Sequence, residues 1–279
     1  MISKRISSLF LVLFHARHAK GACYDDFTTA NLHAYMKSAV FGDEIILHPG
    51  TYTGSFYSFA DGTASQRITI RSADPKNKSV ISGLHFAYGE ALYIAGNHWI
   101  ARDLILTNAL HGIVFDNAMF GAIINCEVRD TGMKRLELSS RCVARSITSL
   151  SLNSTGEEGI HIRDGSSNIM IQGNSIQNTG LSEPGYGEGI YVGSDKGVHN
   201  IFNSSVAFIT IQANVIGPNV RAEAIDVKEG TRDVSEEMIL TSLAIDPLNI
   251  IPRVRLSFKT TLSMPLDSLE STMLIPSSI

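Results

Sequence analysis

The sequence is poor in the residues that most specialised classes of protein require. It holds only three cysteines in 279 residues, which excludes a disulfide-rich scaffold. Charged residues make up 18% and the net charge is −4, so no overall basic field indicates binding to nucleic acid or to an anionic membrane. Apolar residues make up 44%, which excludes a disordered chain. The composition therefore predicts a globular, modestly acidic protein without a nucleic-acid partner.

Long apolar runs are also missing. The run nearest the N-terminus, residues 6–14, follows Lys4 and Arg5 and precedes small residues near Gly21. A membrane helix needs about 20 apolar residues, so this shorter stretch is typical of a secretory signal peptide. We predict a signal peptide over residues 1–22, secretion of the mature protein and no membrane span.

The main feature that is present is a repeat of about 24 residues. Thr-Gly pairs begin at Thr131, Thr155 and Thr179, and hydrophobic positions recur in step with them. A second hydrophobic column comprises Ile113, Leu136, Ile160, Ile190 and Ile225, at steps of 23, 24, 30 and 35 residues, so the later turns carry longer loops. Short strands at such a period, with Gly and Asn at the corners, are typical of a solenoid of stacked strands. The sequence predicts an all-β protein, a right-handed single-stranded parallel β-helix.

Helical patterns are scarce. Residues 28–40 form the only convincing amphipathic helix in the first 230 residues, with Thr28 as a candidate cap and Leu32 and Val40 at helical spacing. Doubly wound folds and (β/α)8 barrels need a helix between strands, so the pattern argues against both. We expect this helix to cap the open N-terminal end of the solenoid.

One column of the repeat contains side chains that we expect inside the solenoid. Asn174 and Asn214 occupy equivalent positions, where strands about 4.8 Å apart would let the side-chain amides bond in a ladder. Cys126 falls at the same position, which predicts a buried packing thiol rather than a nucleophile. We expect no disulfide of consequence.

The C-terminal part departs from the repeat, because all 23 glycines lie within the first 230 residues. We assign residues 23–230 to the β-helix domain and 231–279 to an atypical, irregular cap or tail. Within that tail the pattern suggests a short helix over 236–243 and one more strand over 254–258. Residues 134–157 also differ in composition, but they keep the 24-residue step and are predicted to form one degenerate turn.

Alternate residues of a β-strand point outward, so the repeats also form outward columns. Three such columns carry His161, Tyr191 and Asp226; Arg163, Gly193 and Lys228; and Glu158, Glu188 and Glu223. Glutamates on adjacent turns repel one another unless they are neutralised, and Ca²⁺ accepts several carboxylate oxygens. We predict a Ca²⁺ site at the three glutamates. The alternatives are neutralisation by Arg163 and Lys228, or a column of carboxylates splayed into water.

The same turns offer surfaces for a sugar chain. Tyr186 and Tyr191 present flat rings, and we expect Tyr186, Asp226 and Lys196 to bind substrate. Two long loops are placed to wall a groove, residues 181–188 and 194–207. On the earlier turns, Glu137 and its neighbours form no comparable column, so the sequence indicates no part of the site there.

Two segments resemble known proteins. The first is residues 44–52, Glu-Ile-Ile-Leu-His-Pro-Gly-Thr-Tyr, which with the later Gly-Ile-x-Val turns resembles the opening of secreted β-helix proteins of the pectate-lyase-like superfamily. The second, from Glu223 to Lys228, is similar to a segment of the chondroitinase B and alginate lyase family, in which a calcium-binding glutamate precedes the catalytic lysine by five residues. The resemblance implies that Glu223 is a Ca²⁺ ligand and Lys228 the Brønsted base. It also implies a catalytic arginine about one turn later, for which the candidates are Arg253 and Arg255.

We therefore hypothesise a monomeric, secreted polysaccharide lyase that cleaves an acidic polysaccharide, a uronate polymer such as pectate or alginate. A cation held by Glu188 and Glu223 would stabilise the enolate-like intermediate, and Lys228 would take the C5 proton. The pKa of Lys228 would have to be lowered by nearby cations, Ca²⁺ and Arg163. The candidate donors of a proton to the leaving oxygen are Tyr191 and His161.

Two other classes of protein fit the same groove. A non-catalytic carbohydrate-binding or cell-surface solenoid would hold a sugar chain without cleaving it. A glycoside hydrolase needs two carboxyl groups about 5–9.5 Å apart, and Asp226 with Glu188 or Asp195 would supply them. Replacing Lys228 separates the three classes, because it abolishes a lyase, spares a hydrolase and leaves the affinity of a binding protein intact.

Overall fold

The chain passes through three strands per turn, and equivalent strands of successive turns pair in parallel. The computed structural model describes residues 23–26, 28–133, 136–240 and 256–258. This architecture is a right-handed parallel β-helix with an N-terminal helix, as the repeat predicted.

The described strands form three faces. The first face consists of β1 (Cys23–Asp26), β2 (Glu44–Leu47), β5 (Ile68–Ser72), β8 (Trp99–Arg102), β11 (Ala122–Ile124), β14 (Val143–Thr148), β17 (Ser167–Gln172), β20 (Ala207–Ile216) and β22 (Arg232–Leu240). The second consists of β3 (Thr51–Thr53), β6 (Ser79–Ser82), β9 (Leu104–Ala109), β12 (Glu127–Thr131), β15 (Ser151–Thr155), β18 (Ser175–Gln177) and the end of β20. The third consists of β4 (Phe56–Ser58), β7 (Glu90–Ile94), β10 (His111–Asp116), β13 (Leu136–Ser139), β16 (Ile160–Ile162), β19 (Ile190–Val192), β21 (Ile225–Val227) and β23 (Leu256–Phe258).

The predicted hydrophobic column is confirmed residue by residue on the third face. Its members pair in the order Ile113, Leu136, Ile160, Ile190 and Ile225. All five are buried, and full burial of such a side chain stabilises the fold by about 1.5–3 kcal/mol. Residues 134–157 supply β13, β14 and β15, so the degenerate turn keeps its place in all three faces.

Helix α1 (Thr29–Ser38) covers the first turn. The Thr28 hydroxyl accepts from the amide of Asn31 at 3.2 Å, which satisfies one of the free N–H groups at the helix start. Leu32 and Met36 are buried against the solenoid interior. The helix is shorter than predicted, because it ends before Val40, whose side chain is exposed.

The polar interior column is confirmed as a ladder. Asn174 Nδ2 donates to Asn214 Oδ1 at 2.9 Å, and Asn174 Oδ1 accepts from the amide of Leu150 at 2.8 Å. Both amides are buried, so each pairs with groups that would otherwise lack partners. Cys126 is also buried and burial raises its pKa to about 12, which fits a packing thiol and not a nucleophile.

The β-helix continues beyond the predicted boundary at Gly230. Strand β22 pairs in parallel with β20, with Ala207 opposite Arg232, and β23 pairs with β21. The expectation of a short helix over 236–243 is therefore wrong for its described part, since residues up to Leu240 are extended. The reason is that pairing with β20 satisfies the backbone N–H and C=O groups of this segment, and this pairing needs no glycine at the corners.

The predicted signal peptide, residues 1–22, lies outside the described residues, as do Arg253 and Arg255. Among the helices that the structure describes, none has the length and apolar character to cross a membrane.

Candidate active site

A cavity of about 550 Å³ opens on the outward side of the third face, over β16, β19 and β21. Its lining residues are Glu157, Glu158, His161, Arg163, Gly185, Tyr186, Glu188, Tyr191, Ser194, Asp195, Val198, Phe202 and Lys228. The outward columns predicted from the repeat therefore meet in one cavity.

Both predicted loops wall this cavity. The loop before β19 contains a short 3-10 helix, Pro184–Tyr186, and contributes Tyr186. The loop after β19 contains another, Lys196–Val198, and is tied to the neighbouring turn because the amide of Asn203 donates to Asp164 Oδ1 at 2.8 Å. Lys196 lies on this wall as an exposed side chain, outside the set that lines the cavity.

The acidic cluster differs from the predicted one by one member. Carboxylate oxygens of Glu188, Glu223 and Asp226 lie within 4.8 Å of one another. Glu158 is on the expected turn, but its Oε1 lies 3.5 Å from Nδ1 of His161. Asp226 replaces Glu158 in the cluster because its strand position projects it outward beside Tyr191.

Glu188 is the member of the cluster whose negative charge is most costly to bury. Its side chain is buried, and its Oε2 receives no hydrogen bond from any residue that the structure describes. Burial raises the pKa of Glu188 to about 7, and the negative charges of Glu158, Asp226 and Glu223 add to the shift. With Lys228 as the partner of Asp226, the three clustered carboxylates and one ammonium carry a formal charge of −2 when all are ionised.

Lys228 is held in its charged form. Its Nζ lies 2.8 Å from Asp226 Oδ2 and 5.0 Å from the centroid of the Tyr191 ring. Burial alone would lower the pKa of Lys228, but the hydrogen bond and charge of Asp226 raise it overall. The expectation that Arg163 lowers this pKa is wrong, because Arg163 forms an ion pair with Glu137 instead.

The rings of Tyr191 and His161 are in contact, and the surroundings of each ring determine where it carries a proton. Their rings meet edge to face at 4.6 Å. His161 Nε2 lies 3.2 Å from the carbonyl oxygen of Gly193, and since a carbonyl only accepts, this nitrogen carries the proton. Burial, followed by the charges of Asp226 and Glu188, raises the pKa of Tyr191, which keeps its hydroxyl protonated.

Glu137 belongs to the site although the sequence analysis left it outside. It is buried and forms a short ion pair with Arg163, whose guanidinium also stacks 4.3 Å over the ring of Phe202. The signal that could have found it is register, because Leu136 pairs with Ile160 and Glu137 therefore stands opposite His161. Arg163 is thus oriented from two sides.

No family model matches the sequence, and no curated protein matches it either. The structure is similar to the crystal structure of alginate lyase from Paenibacillus sp. str. FPU-7, with a TM-score of 0.63 and 40% identity over 78% of this chain. The match covers 66% of that lyase, so this chain spans just under two thirds of its length.

Two further solved structures match with lower scores. Pectate lyase Pel9A has a TM-score of 0.47 and 12% identity, over 80% of this chain and 78% of its own. The periplasmic alginate epimerase AlgG has a TM-score of 0.45 and 12% identity, over 81% of this chain and 56% of its own. The stacked parallel strands define the class of fold: the chain is a parallel β-helix protein, and it is similar to a solved alginate lyase.

Proposed function

We propose that the protein is a polysaccharide lyase that cleaves a uronate polymer by β-elimination, with alginate as the first substrate to test. The observation that carries the proposal is the placement of Lys228 beside Tyr191 in a cavity that Arg163 also lines. The 40% identity to an alginate lyase supports alginate over pectate.

The residues of the cavity match the needs of this reaction. The C5 proton of a uronate is weakly acidic until its carboxylate is neutralised, and Arg163, fixed by Glu137, supplies a positive charge for that purpose. Lys228 takes the C5 proton, and the electrons of the broken C–H bond form the C4=C5 double bond. The C4–O bond breaks, and Tyr191 gives its hydroxyl proton to the departing oxygen.

Tyr191 is a better donor than His161 for the last step. Its raised pKa keeps the hydroxyl protonated, whereas both ring nitrogens of His161 face protein groups, Glu158 and the carbonyl of Gly193. His161 therefore positions Tyr191 through the edge-to-face contact. Lys228 must lose its resting proton to act as a base, so the reaction is expected to be favoured by alkaline pH.

The acidic cluster fits a calcium ion. Glu188, Glu223 and Asp226 offer hard carboxylate oxygens, and Glu188 Oε2 is buried with no hydrogen-bond donor among the described residues. These three residues, rather than the predicted set with Glu158, would hold the ion. Held by these residues, a Ca²⁺ ion would supply positive charge to help neutralise a substrate carboxylate.

Substrate contacts and export complete the proposal. Tyr186, which lines the cavity and is 60% exposed, is placed to stack on a sugar ring, and the exposed Lys196 on the other loop is placed to meet a carboxylate. Residues 1–22 are proposed to export the protein to the compartment in which polymeric uronates occur.

The decisive experiment is incubation with alginate and with polygalacturonate, each with and without a chelator, followed by detection of the unsaturated uronate product. We expect product from alginate. Lys228→Ala should abolish it, and the matched control Lys76→Ala, an exposed lysine between β5 and β6, should not. Absence of product from both polymers contradicts the lyase proposal, and retained binding in that case supports a non-catalytic carbohydrate-binding protein.

A further inference from the structure

Three aromatic rings form an exposed cluster at the N-terminal end of the third face, away from the cavity. The Tyr57 ring lies 6.0 Å from that of Phe59, and Phe59 lies 6.1 Å from Tyr93. Tyr57 is 37% exposed and Phe59 67%, so neither is part of the solenoid core. We call these three residues the aromatic platform.

The aromatic platform lies in line with the candidate active site. The register runs from Tyr57 to Tyr93, then to Val114, Glu137 and His161. Tyr93 is therefore three strand spacings, or about 14 Å, from His161, and Tyr57 is about 19 Å away. A sugar residue in an extended 1,4-linked chain advances by about one strand spacing, so a polymer lying along this face meets the rings three to four residues from His161.

A cation beside the rings fits an acidic sugar, and a hydrogen bond fixes one of the rings. Lys37 Nζ lies 5.1 Å from the centroid of the Tyr57 ring, where it can meet a uronate carboxylate. The Tyr93 hydroxyl donates to Asp116 Oδ2 at 2.7 Å. The other oxygen, Asp116 Oδ1, is buried and has no hydrogen-bond donor among the described residues.

We propose that the aromatic platform is a distal subsite that binds uronate residues of the same polymer three to four positions from the cleaved bond. The rings stack on sugar faces, and Lys37 pairs with a carboxylate. The inference rests on the proposed function, because its occupant is the polymer that the cavity cleaves. It makes the enzyme selective for long chains over short oligosaccharides.

The test compares oligomers that can span both places with oligomers that cannot. Full-length wild type, Tyr57→Ala/Phe59→Ala and Phe208→Ala are assayed on alginate oligomers of about four and about ten residues. Phe208 is the matched control, because it is 56% exposed but lies on β20 of the first face. Calorimetric binding to the same oligomers, measured with each variant combined with Lys228→Ala to prevent cleavage, gives a second readout that does not depend on activity.

We expect the double variant to bind and cleave the long oligomer about tenfold less well, the order of magnitude for losing two stacking contacts, with the short oligomer unchanged. Tyr57→Trp/Phe59→Trp should restore most of the loss. If wild type cleaves alginate and the double variant behaves like it at both lengths, the subsite inference is overturned and the lyase proposal stands. If wild type neither cleaves nor binds either oligomer, both fall.

Discussion

The ammonium group of Lys228 donates to the carboxylate of Asp226, two residues earlier on the same outward side of the chain, at 2.8 Å. This ion pair links the candidate base to the acidic cluster, because Asp226 is also within 4.8 Å of Glu188 and Glu223. A change in the charge of the cluster therefore changes how firmly Lys228 holds its proton.

The first prediction concerns the pH dependence of cleavage. Asp226→Asn removes the charge that raises the pKa of Lys228, and the burial that remains lowers it. The neutral lysine then appears at lower pH, so the rising limb of kcat/KM on alginate should shift by about one to three units toward acid. The profiles are measured both with and without chelator, so that the contribution of metal binding is separated from that of the charge on Asp226. An unmoved limb would show that Lys228 does not limit the reaction as a base.

The second prediction concerns Glu137. Glu137→Gln keeps the size of the side chain but removes the charge that orients Arg163, so kcat/KM should fall by about 10- to 100-fold. In the Arg163→Lys variant kcat/KM should fall by at least as much, since lysine cannot make the same planar contacts with Glu137 and Phe202.

The control for Glu137 is another ion pair on the same solenoid. Glu127→Gln breaks the exposed pair with Arg129, at 3.1 Å, and should leave kcat/KM within about twofold. Equal effects of the two substitutions would mean that Glu137 acts only through stability, which thermal unfolding of both variants would reveal.

The repeat was sufficient to predict which residues share a column. Strand side chains alternate with a period of two, and a 24-residue step fixes which regular turns lie above one another, so the pairing of Leu136 with Ile160 followed from spacing alone. Where longer loops break that step, matching local patterns placed Tyr191 beside His161, 30 residues apart, and Asn174 against Asn214, 40 residues apart.

Which side chains pair within a column did not follow from spacing. Glu158 approaches His161 whereas Asp226 joins the cluster, and this depends on rotamers and loop contacts that one-dimensional periodicity does not contain. Glu137 was missed because the reasoning required a charged column on several turns, and a single buried carboxylate paired across turns with Arg163 leaves no such pattern. The strand at residues 232–240 was not predicted, because the absence of glycine after Gly230 was taken to mean that the turns of the solenoid end there.

The third prediction tests the cluster as a cation site. The folded-state pKa of Glu188 is raised to about 7 from an ordinary value of 4.5, so its ionisation opposes folding as the pH rises through that interval. In chelator, Glu188→Gln should raise the melting temperature by several degrees at pH 8 and leave it nearly unchanged at pH 4. Ca²⁺ should stabilise wild type at pH 8 and stabilise the variant much less.

The control for Glu188 is Glu183→Gln on the adjacent loop, where the side chain is exposed. It should alter neither the melting temperature nor its response to Ca²⁺. A wild-type melting temperature that is indifferent to Ca²⁺ would remove the metal from the proposal and leave Arg163 and Lys228 as the cations of the site.

The last prediction concerns the asparagine ladder that stiffens the turns beneath the cavity. Asn174→Ala removes the acceptor for the amide of Leu150 and the donor to Asn214, and it leaves buried polar groups without partners. Each such group costs about 1–3 kcal/mol, so the free energy of unfolding in urea should fall by about 2–5 kcal/mol. Asn153→Ala is the matched control, because Asn153 Oδ1 accepts from the side-chain amide of Asn178 at 2.7 Å in a partly buried row outside the core. Water can replace the lost partner there, and the expected change is below about 1 kcal/mol. Equal losses from the two substitutions would show that the interior ladder contributes no more than the outer row, and that apolar stacking alone holds these turns together.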